Sequence, residues 1–178
     1  KLGNTSVVPR LNGSDSDNGV SLGLSNRRWT DLYLGGNLYI GGTGSANALS
    51  DFETGSFTPA WSSGITSVSY TSQVGRYVKV GTFVHCQILL DASSGTKASS
   101  QVKISGLPFT SANVTGSHGG GMCVSTGGGF DLNAGITFEI QNNDSELIWH
   151  NQSGSDYAGT SLSDQNAPMK FVFSYITA

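Results

Sequence analysis

The sequence has little charge and no long hydrophobic run. Charged residues make up 12% of its 178 residues, about half the share of roughly 25% in ordinary globular proteins. The net charge is −3, and Arg27-Arg28 is too short for the basic stripe that nucleic-acid binding needs. No apolar run approaches the roughly 20 residues that cross a membrane as a helix. These absences argue against a nucleic-acid interface and a helical membrane anchor.

Cysteine and helix-forming residues are also scarce. There are only two cysteines, Cys86 and Cys123, too few for a disulfide framework, and we expect both to be buried free thiols. Such cysteine usage fits assembly in a reducing cytoplasm. Glutamate occurs only at Glu53, Glu139 and Glu146, and no segment has the apolar spacing of an amphipathic helix.

What the chain does contain favours β-structure. It has 25 glycines, eight Phe, six Tyr and three Trp. The aromatic residues exclude disorder for most of the length, because disordered chains lack them, and aromatic and β-branched residues favour strands. We therefore predict an all-β protein.

Two regions of the chain differ in composition and pattern. Residues 1–50 are polar and repetitive, whereas residues 51–178 alternate strand-like runs with Gly- and Ser-rich loops. Residues 41–47 have the composition of a flexible linker, so we predict a stem or shaft over 1–50 and a head over 51–178. The predicted strands of the head are 57–61, 67–71, 75–80, 83–90, 101–104, 122–126, 136–140, 146–150 and 169–177.

The final run is the most informative of these strands. Side chains alternate between the two faces of a strand, so one face receives only apolar residues, namely Met169, Phe171, Phe173 and Tyr175. About eight to ten short strands with Gly-rich turns predict an antiparallel β-sandwich or jelly roll.

The first region contains a near-repeat of six residues. Leu32-Tyr33-Leu34-Gly35-Gly36 is followed by Leu38-Tyr39-Ile40-Gly41-Gly42. So few apolar residues cannot form a core alone, and stacked repeats need a partner surface. We interpret residues 20–42 as a short interwoven β-stem shared with other copies of the chain. Its predicted interface residues are Trp29, Leu32, Leu34, Leu38 and Ile40. An ordinary hairpin packed on the head is the alternative.

Several segments resemble bacteriophage tail-fibre proteins. Residues 23–33, Gly-Leu-Ser-Asn-Arg-Arg-Trp-Thr-Asp-Leu-Tyr, resemble an element that precedes a distal domain in those fibres. Residues 52–59 (Phe-Glu-Thr-Gly-Ser-Phe-Thr-Pro), residues 70–81 (Tyr-Thr-Ser-Gln-Val-Gly-Arg-Tyr-Val-Lys-Val-Gly) and Leu107-Pro108-Phe109 resemble segments of that domain, in the same order. The matched segments comprise 34 of the 178 residues, about a fifth of the chain.

The resemblance implies a C-terminal tail-fibre fragment that forms a homotrimer in the virion. Its partners would be two further copies, upstream tail proteins, and a host-surface glycan such as lipopolysaccharide. Two other functions remain open: a structural trimerisation cap without receptor binding, and a glycan-hydrolysing tailspike fragment. We expect an adhesin without enzymatic activity or cofactor.

Recognition residues are expected on loops supported by a rigid β-scaffold. Sugars are held by an aromatic face together with amides and carboxylates. That combination predicts a binding site on the loop 151–167, with a second loop contributing His118. The predicted residues are Asn151, Gln152, Asp156 and Tyr157; Tyr157 as a loop anchor is the alternative.

Catalytic and metal sites have weaker sequence support. Glu139 and Glu146 flank a hairpin loop, but outward carboxylates are common on such strands, and a glycosidase needs a matched pair of carboxylates. Asp15-Ser16-Asp17-Asn18-Gly19 begins like a calcium loop without its later glutamate. His85 and Cys86 are adjacent, so they point to opposite faces of a strand. Trp149 is expected in the core rather than in the sugar site.

Overall fold

The structure is a computed structural model that describes residues 9–16, 19–36, 38–40, 48–49, 51–115, 119–125 and 136–178. The chain separates into two compact units, Lys1–Asn37 and Leu38–Ala178. The described residues contain strands and a single short 3-10 helix, Gly159–Ser161, so the all-β prediction is confirmed. No helix within these ranges is long and apolar enough to span a membrane.

The first unit contains two small turns among its described residues. Strands β1 (Arg10–Leu11) and β2 (Ser14–Asp15) pair antiparallel around Asn12 and Gly13. Both turn residues have positive φ, 54° and 86°, as a two-residue hairpin of this hand requires. Residues 24–27 form a second turn, closed by reciprocal backbone hydrogen bonds between Leu24 and Arg27.

The second unit is built on one large antiparallel sheet. A separate two-stranded pair, β3 (Leu38–Tyr39) with β4 (Ala48–Leu49), precedes it. The sheet has nine strands in the order β5-β7-β8-β13-β10-β11-β12-β9-β6. Their bounds are β5 Phe52–Phe57, β6 Ala60–Ser63, β7 Ile65–Val80, β8 Phe83–Lys97, β9 Lys103–Ser105, β10 Gly119–Ser125, β11 Thr137–Ile140, β12 Leu147–His150 and β13 Met169–Ile176.

The connection between β5 and β6 is too short for the sheet to be flat. These strands form opposite edges of the sheet, and a flat sheet of this width would separate them by about 38 Å at about 4.8 Å per strand. Only Thr58 and Pro59 join them, and each residue spans at most about 3.6 Å. The sheet therefore bends back on itself, and the Tyr70 hydroxyl of β7 accepts a hydrogen bond from the Trp61 amide of β6 at 2.7 Å.

The longest hairpin joins β7 and β8. Val80 pairs with Phe83 across Gly81-Thr82, which confirms the predicted hairpin break, and Gly81 has a φ of 58°. Residues 67–71, predicted as a strand of their own, belong to β7. Register shifts between Thr66 and Ser72 interrupt the pairing there, and bulges of this kind bend a strand without ending it.

The core lies inside the curled sheet. In β13, Met169, Phe171, Phe173 and Tyr175 are all buried, as their alternation predicts. Trp149 of β12 is fully buried at the centre, with ring centroids 5.6 Å from Phe171 and 5.7 Å from Trp61. The prediction that Trp149 is a core residue is confirmed.

Residues of the segments that resemble tail-fibre proteins contact one another in this unit. β5 pairs with β7, so that Phe57 lies opposite Gly75 and Gly55 lies opposite Tyr77. In each pair the aromatic ring covers the glycine, at whose position a Cβ would come within 2.7 Å of ring atoms. The Tyr77 ring meets Phe109 edge-on with centroids 5.2 Å apart. Three segments separated in sequence thus form one packed cluster.

Candidate functional site

The loop after β12 contains most of the predicted binding residues, and Asn151 organises it. The Asn151 Oδ1 atom accepts hydrogen bonds from the Ser153 amide at 3.0 Å, the Ser153 hydroxyl at 2.7 Å and the Ser155 amide at 3.0 Å. The side chain thereby satisfies backbone groups of its own loop, as Asn side chains do in turns. Asn151 is therefore a structural residue of this loop.

Tyr157 is buried, so its predicted stacking on a sugar is wrong. Only 3% of its surface is exposed. Its ring lies 6.1 Å from the Trp149 ring, centroid to centroid, and its hydroxyl donates to the Ser161 carbonyl at 2.8 Å. Tyr157 anchors the loop to the core, which was the alternative interpretation. Alternation cannot identify such burial, since the residue lies outside a regular strand.

Gln152 and Asp156 are the exposed polar residues of this predicted site. The Gln101 Nε2 atom donates to Asp156 Oδ1 at 2.8 Å and also to the Trp149 carbonyl at 3.1 Å. Gln101, which the sequence did not indicate, therefore holds Asp156 at the surface. His118 lies outside the described residues.

The outward side of β9, β11 and β12 continues this polar surface. We call it the polar region. Lys103 of β9 and Glu139 of β11 lie in register on either side of Ile148 of β12, which is itself buried. Glu139 Oε1 is 3.1 Å from His150 Nε2, and Glu146 Oε2 is 3.5 Å from Lys103 Nζ. Each of the two glutamates considered for glycosidase chemistry therefore has a different basic neighbour.

A second surface has the opposite character. The outward residues of five adjacent strands, β5, β7, β8, β13 and β10, form what we call the outer face. It consists of Phe52, Thr54, Ser56, Val74, Arg76, Val78, Val80, Phe83, His85, Gln87, Leu89, Gly120, Met122, Val124, Lys170, Val172, Ser174 and Ile176.

Apolar side chains dominate this outer face. Eight of its large hydrophobic residues are exposed: Phe52, Val74, Val78, Val80, Phe83, Met122, Val124 and Val172. The sequence did not single them out, because they lie on five strands and alternate with core residues. They become one surface only when β13 is placed between β8 and β10.

A shallow depression of about 620 Å³ lies within the outer face. It is lined by hydroxyl, guanidinium, imidazole and amide groups from Thr54, Ser56, Arg76, His85 and Gln87, together with Val78. The His85 Nδ1 atom is 3.0 Å from the Ser174 hydroxyl. His85 faces outward while Cys86 is buried, as their adjacency in a strand predicts.

The residues predicted for a stem interface are exposed in the single chain. Trp29, Leu32, Leu34, Leu38 and Ile40 each have 38–69% of their surface accessible. Leu38 lies in β3, whereas the described residues of the first repeat copy form no strand. The boundary between the two compact units also falls between the copies. The interwoven stem stays a prediction.

The two thiols are free, and the expectation that both are buried is confirmed for Cys86 only. Cys86 is buried and Cys123 is half-buried. Burial raises the pKa of each thiol to about 12, so neither is a reactive thiolate near neutral pH. Among the described residues, no three His, Cys, Asp or Glu side chains come together as metal ligands. Asp17 and Asn18 of the calcium-like segment lie outside those residues.

Comparisons with known proteins identify no relative. No family model matches the chain, and neither a curated protein nor a solved structure matches it.

Proposed function

We propose that this chain is the distal tip of a bacteriophage tail fibre, which attaches the virion to a glycan of the host bacterial surface. The observation that supports this proposal best is the packing of the resembling segments. Phe57 covers Gly75, Tyr77 covers Gly55, and Phe109 packs on Tyr77. These contacts give a structural reason for the three segments to occur together in one sequence.

In this role, the curled sheet is the head of a homotrimer of the β-sandwich or jelly-roll type. Residues 20–42 form the interwoven stem that joins the head to the fibre. The polar region and the neighbouring loop present exposed Gln152 and Asp156, whose amide and carboxylate suit the hydroxyl groups of a sugar. We assign glycan contact to this surface, with His118 as a further predicted contributor.

The proposed role is binding rather than hydrolysis. A retaining or inverting glycosidase uses two carboxylates that act on one bond. Here Glu139 lies within hydrogen-bonding distance of His150, and Glu146 lies beside Lys103, so the two carboxylates have separate side-chain partners. We therefore expect no release of reducing ends from lipopolysaccharide or capsular polysaccharide, and measurable release would contradict this part of the proposal.

The binding test uses an array of bacterial lipopolysaccharides and capsular polysaccharides. Two loop variants, Gln152→Ala and Asp156→Asn, remove a sugar-facing amide and a charge. Asparagine retains an oxygen that accepts from Gln101, so the loop is preserved. Asp15→Asn, which changes an exposed aspartate outside the proposed stem of residues 20–42, is the matched control. We expect binding by the wild type and the control, and at least tenfold weaker binding by the loop variants.

The outcomes separate the alternatives. If the wild type binds no surface glycan and no host cell, the chain is better explained as a structural trimerisation cap. If the wild type binds and both loop variants bind equally well, adhesion stands but its assignment to Gln152 and Asp156 is wrong. Tyr157→Ala is unsuitable here, because Tyr157 is a core residue.

A further inference from the structure

The depression in the outer face contains a permanent cation, Arg76. This residue of β7 is exposed and lies in register between Ser56 of β5 and Gln87 of β8. One register row along the strands, about 7 Å away, Thr54 and His85 lie on the same face. Five polar side chains from three strands therefore surround one shallow space.

Arg76 has no acidic partner in the described part of the chain. The described residues of the outer face include no Asp or Glu, and none of the described carboxylates lies within 4 Å of the guanidinium. Glu53 of β5 alternates with Thr54 and so faces the opposite side of the strand, where it accepts a hydrogen bond from the Tyr77 hydroxyl at 3.1 Å. The positive charge of Arg76 is therefore uncompensated on this face.

The neutral groups of the depression have hydrogen-bonding capacity to spare. The side chains of Thr54, Ser56 and Gln87 make no hydrogen bond to another described residue. The His85 Nδ1 atom is 3.0 Å from the Ser174 hydroxyl, and when Nδ1 accepts from that hydroxyl, the ring proton on Nε2 remains available as a donor. Hydroxyl, amide and imidazole donors thus surround a cation, and hydrogen bonds to charged oxygens are stronger than those to neutral ones.

A smaller depression adjoins the first and adds a second cation. Its volume is about 290 Å³, it shares Arg76 and Gln87 with the first, and Lys170 is among its other lining residues. Lys170 is exposed and, like Arg76, has no carboxylate within 4 Å among the described residues. Val78 in the first depression and Val172 in the second give each an apolar wall. Such walls lower the local dielectric constant and strengthen the attraction between opposite charges.

We propose that these adjoining depressions are a second glycan site, which binds an acidic polysaccharide through its carboxylate or phosphate groups. The inference rests on the proposed function and deepens it, because it names an anionic class of glycan and a surface separate from the polar region. The Arg76 guanidinium pairs with the anionic group through two parallel N–H donors. Ser56 and Gln87 bind the remaining oxygens and the sugar hydroxyls, while the valines contact the C–H surface of the sugar ring.

Binding of the full chain to immobilised polymers, measured by biolayer interferometry, tests the proposal. The probes are polygalacturonate for the carboxylate, a phosphorylated mannan for the phosphate, dextran as the neutral polymer and single-stranded DNA as a polyanion without a polysaccharide. Arg76→Gln removes the charge, and Gln87→Ala removes a neutral donor but keeps the charge. Arg10→Gln is the matched control, because Arg10 is an exposed residue of β1 outside both the outer face and the proposed stem.

The wild type and Arg10→Gln are expected to bind at least one of the two acidic polysaccharides equally well. Arg76→Gln should bind that polymer about tenfold more weakly, and Gln87→Ala several-fold more weakly. Any binding to dextran should be the same in all four proteins. A preference for polygalacturonate assigns a carboxylate ligand, and a preference for the phosphorylated mannan assigns a phosphate. Far-ultraviolet dichroism should be unchanged, because both altered side chains of the site are exposed.

Four results would overturn the inference. They are a wild type that binds neither acidic polysaccharide, unchanged affinity in Arg76→Gln, equal loss in Arg76→Gln and Arg10→Gln, and binding to single-stranded DNA as tight as to the acidic polysaccharides. If Arg76→Gln loses its folded spectrum, the affinity of folded Gln87→Ala decides. The glycan array with the variants of Gln152 and Asp156 is read separately, so failure of the loop site is distinguishable from failure of this one.

Discussion

Gly75 is a position where one added methyl group would disturb the packing between the segments that resemble tail-fibre proteins. A Cβ placed there lies 2.5–2.6 Å from three atoms of the Phe57 ring, well inside van der Waals contact. The Phe57 ring packs against the core, which limits how far it can move. Gly75→Ala should therefore force a side-chain shift between β5 and β7.

The magnitude follows from two opposing effects. Overpacking of this kind costs typically 1–3 kcal/mol, whereas replacing glycine by alanine in a strand returns about 0.5–1 kcal/mol of backbone entropy. The expected net loss is about 1–2 kcal/mol in the free energy of unfolding. For a chain of 178 residues, each kcal/mol lowers Tm by about 2–4 °C, so the shift is about 2–8 °C.

The assay is equilibrium urea denaturation followed by tryptophan emission, at one protein concentration because assembly shifts apparent stability. Ser62→Ala is the control, since Ser62 is an exposed residue of β6 that lies outside the proposed stem. Adding Phe57→Leu to Gly75→Ala makes room for the methyl group. The double variant should then be more stable than the sum of its single changes predicts, by at least about 0.5 kcal/mol.

A Gly75→Ala protein as stable as the wild type would refute the packing argument. Strict additivity with Phe57→Leu would refute it too, because it would mean that the methyl group and the ring do not compete for the same space.

The thiols and the loop provide three further predictions. In the folded protein at pH 8, a disulfide reagent should label neither Cys86 nor Cys123, because their pKa values are raised to about 12. Denaturant should make both thiols reactive. Rapid labelling of the folded state would contradict the raised pKa values. Because the folded pKa values are raised, the thiols bind more protons in the folded state, so stability should fall as pH rises from about 9 toward 12, by about 1.4 kcal/mol per pH unit for each thiol. Asn151→Ala should speed hydrogen exchange at the loop amides and lower the free energy of unfolding by about 1 kcal/mol, whereas Gln152→Ala should change neither. Equal exchange in the two variants would show that the Asn151 hydrogen bonds do not order the loop.

The sequence by itself determined the class of structure and the orientation of individual strand residues. Aromatic and β-branched residues between glycines predicted strands, and alternation in 169–177 placed Phe171 and Phe173 in the core, where the structure has them. Alternation also placed His85 and Cys86 on opposite faces. These properties are local, since the strand backbone dictates which neighbours share a face.

Only the tertiary structure decided which distant residues meet. Tyr157 was predicted to stack on a sugar but is buried beside Trp149, because its loop folds back over the core. Gln101 meets Asp156 and Lys103 meets Glu146 through strand order that alternation along one strand does not specify. The outer face likewise exists because β13 lies between β8 and β10, which brings separate exposed side chains such as Val74 and Met122 onto one surface. Alternation along a strand shows which residues share a face, but the order in which the strands pair decides which residues of other strands lie beside them.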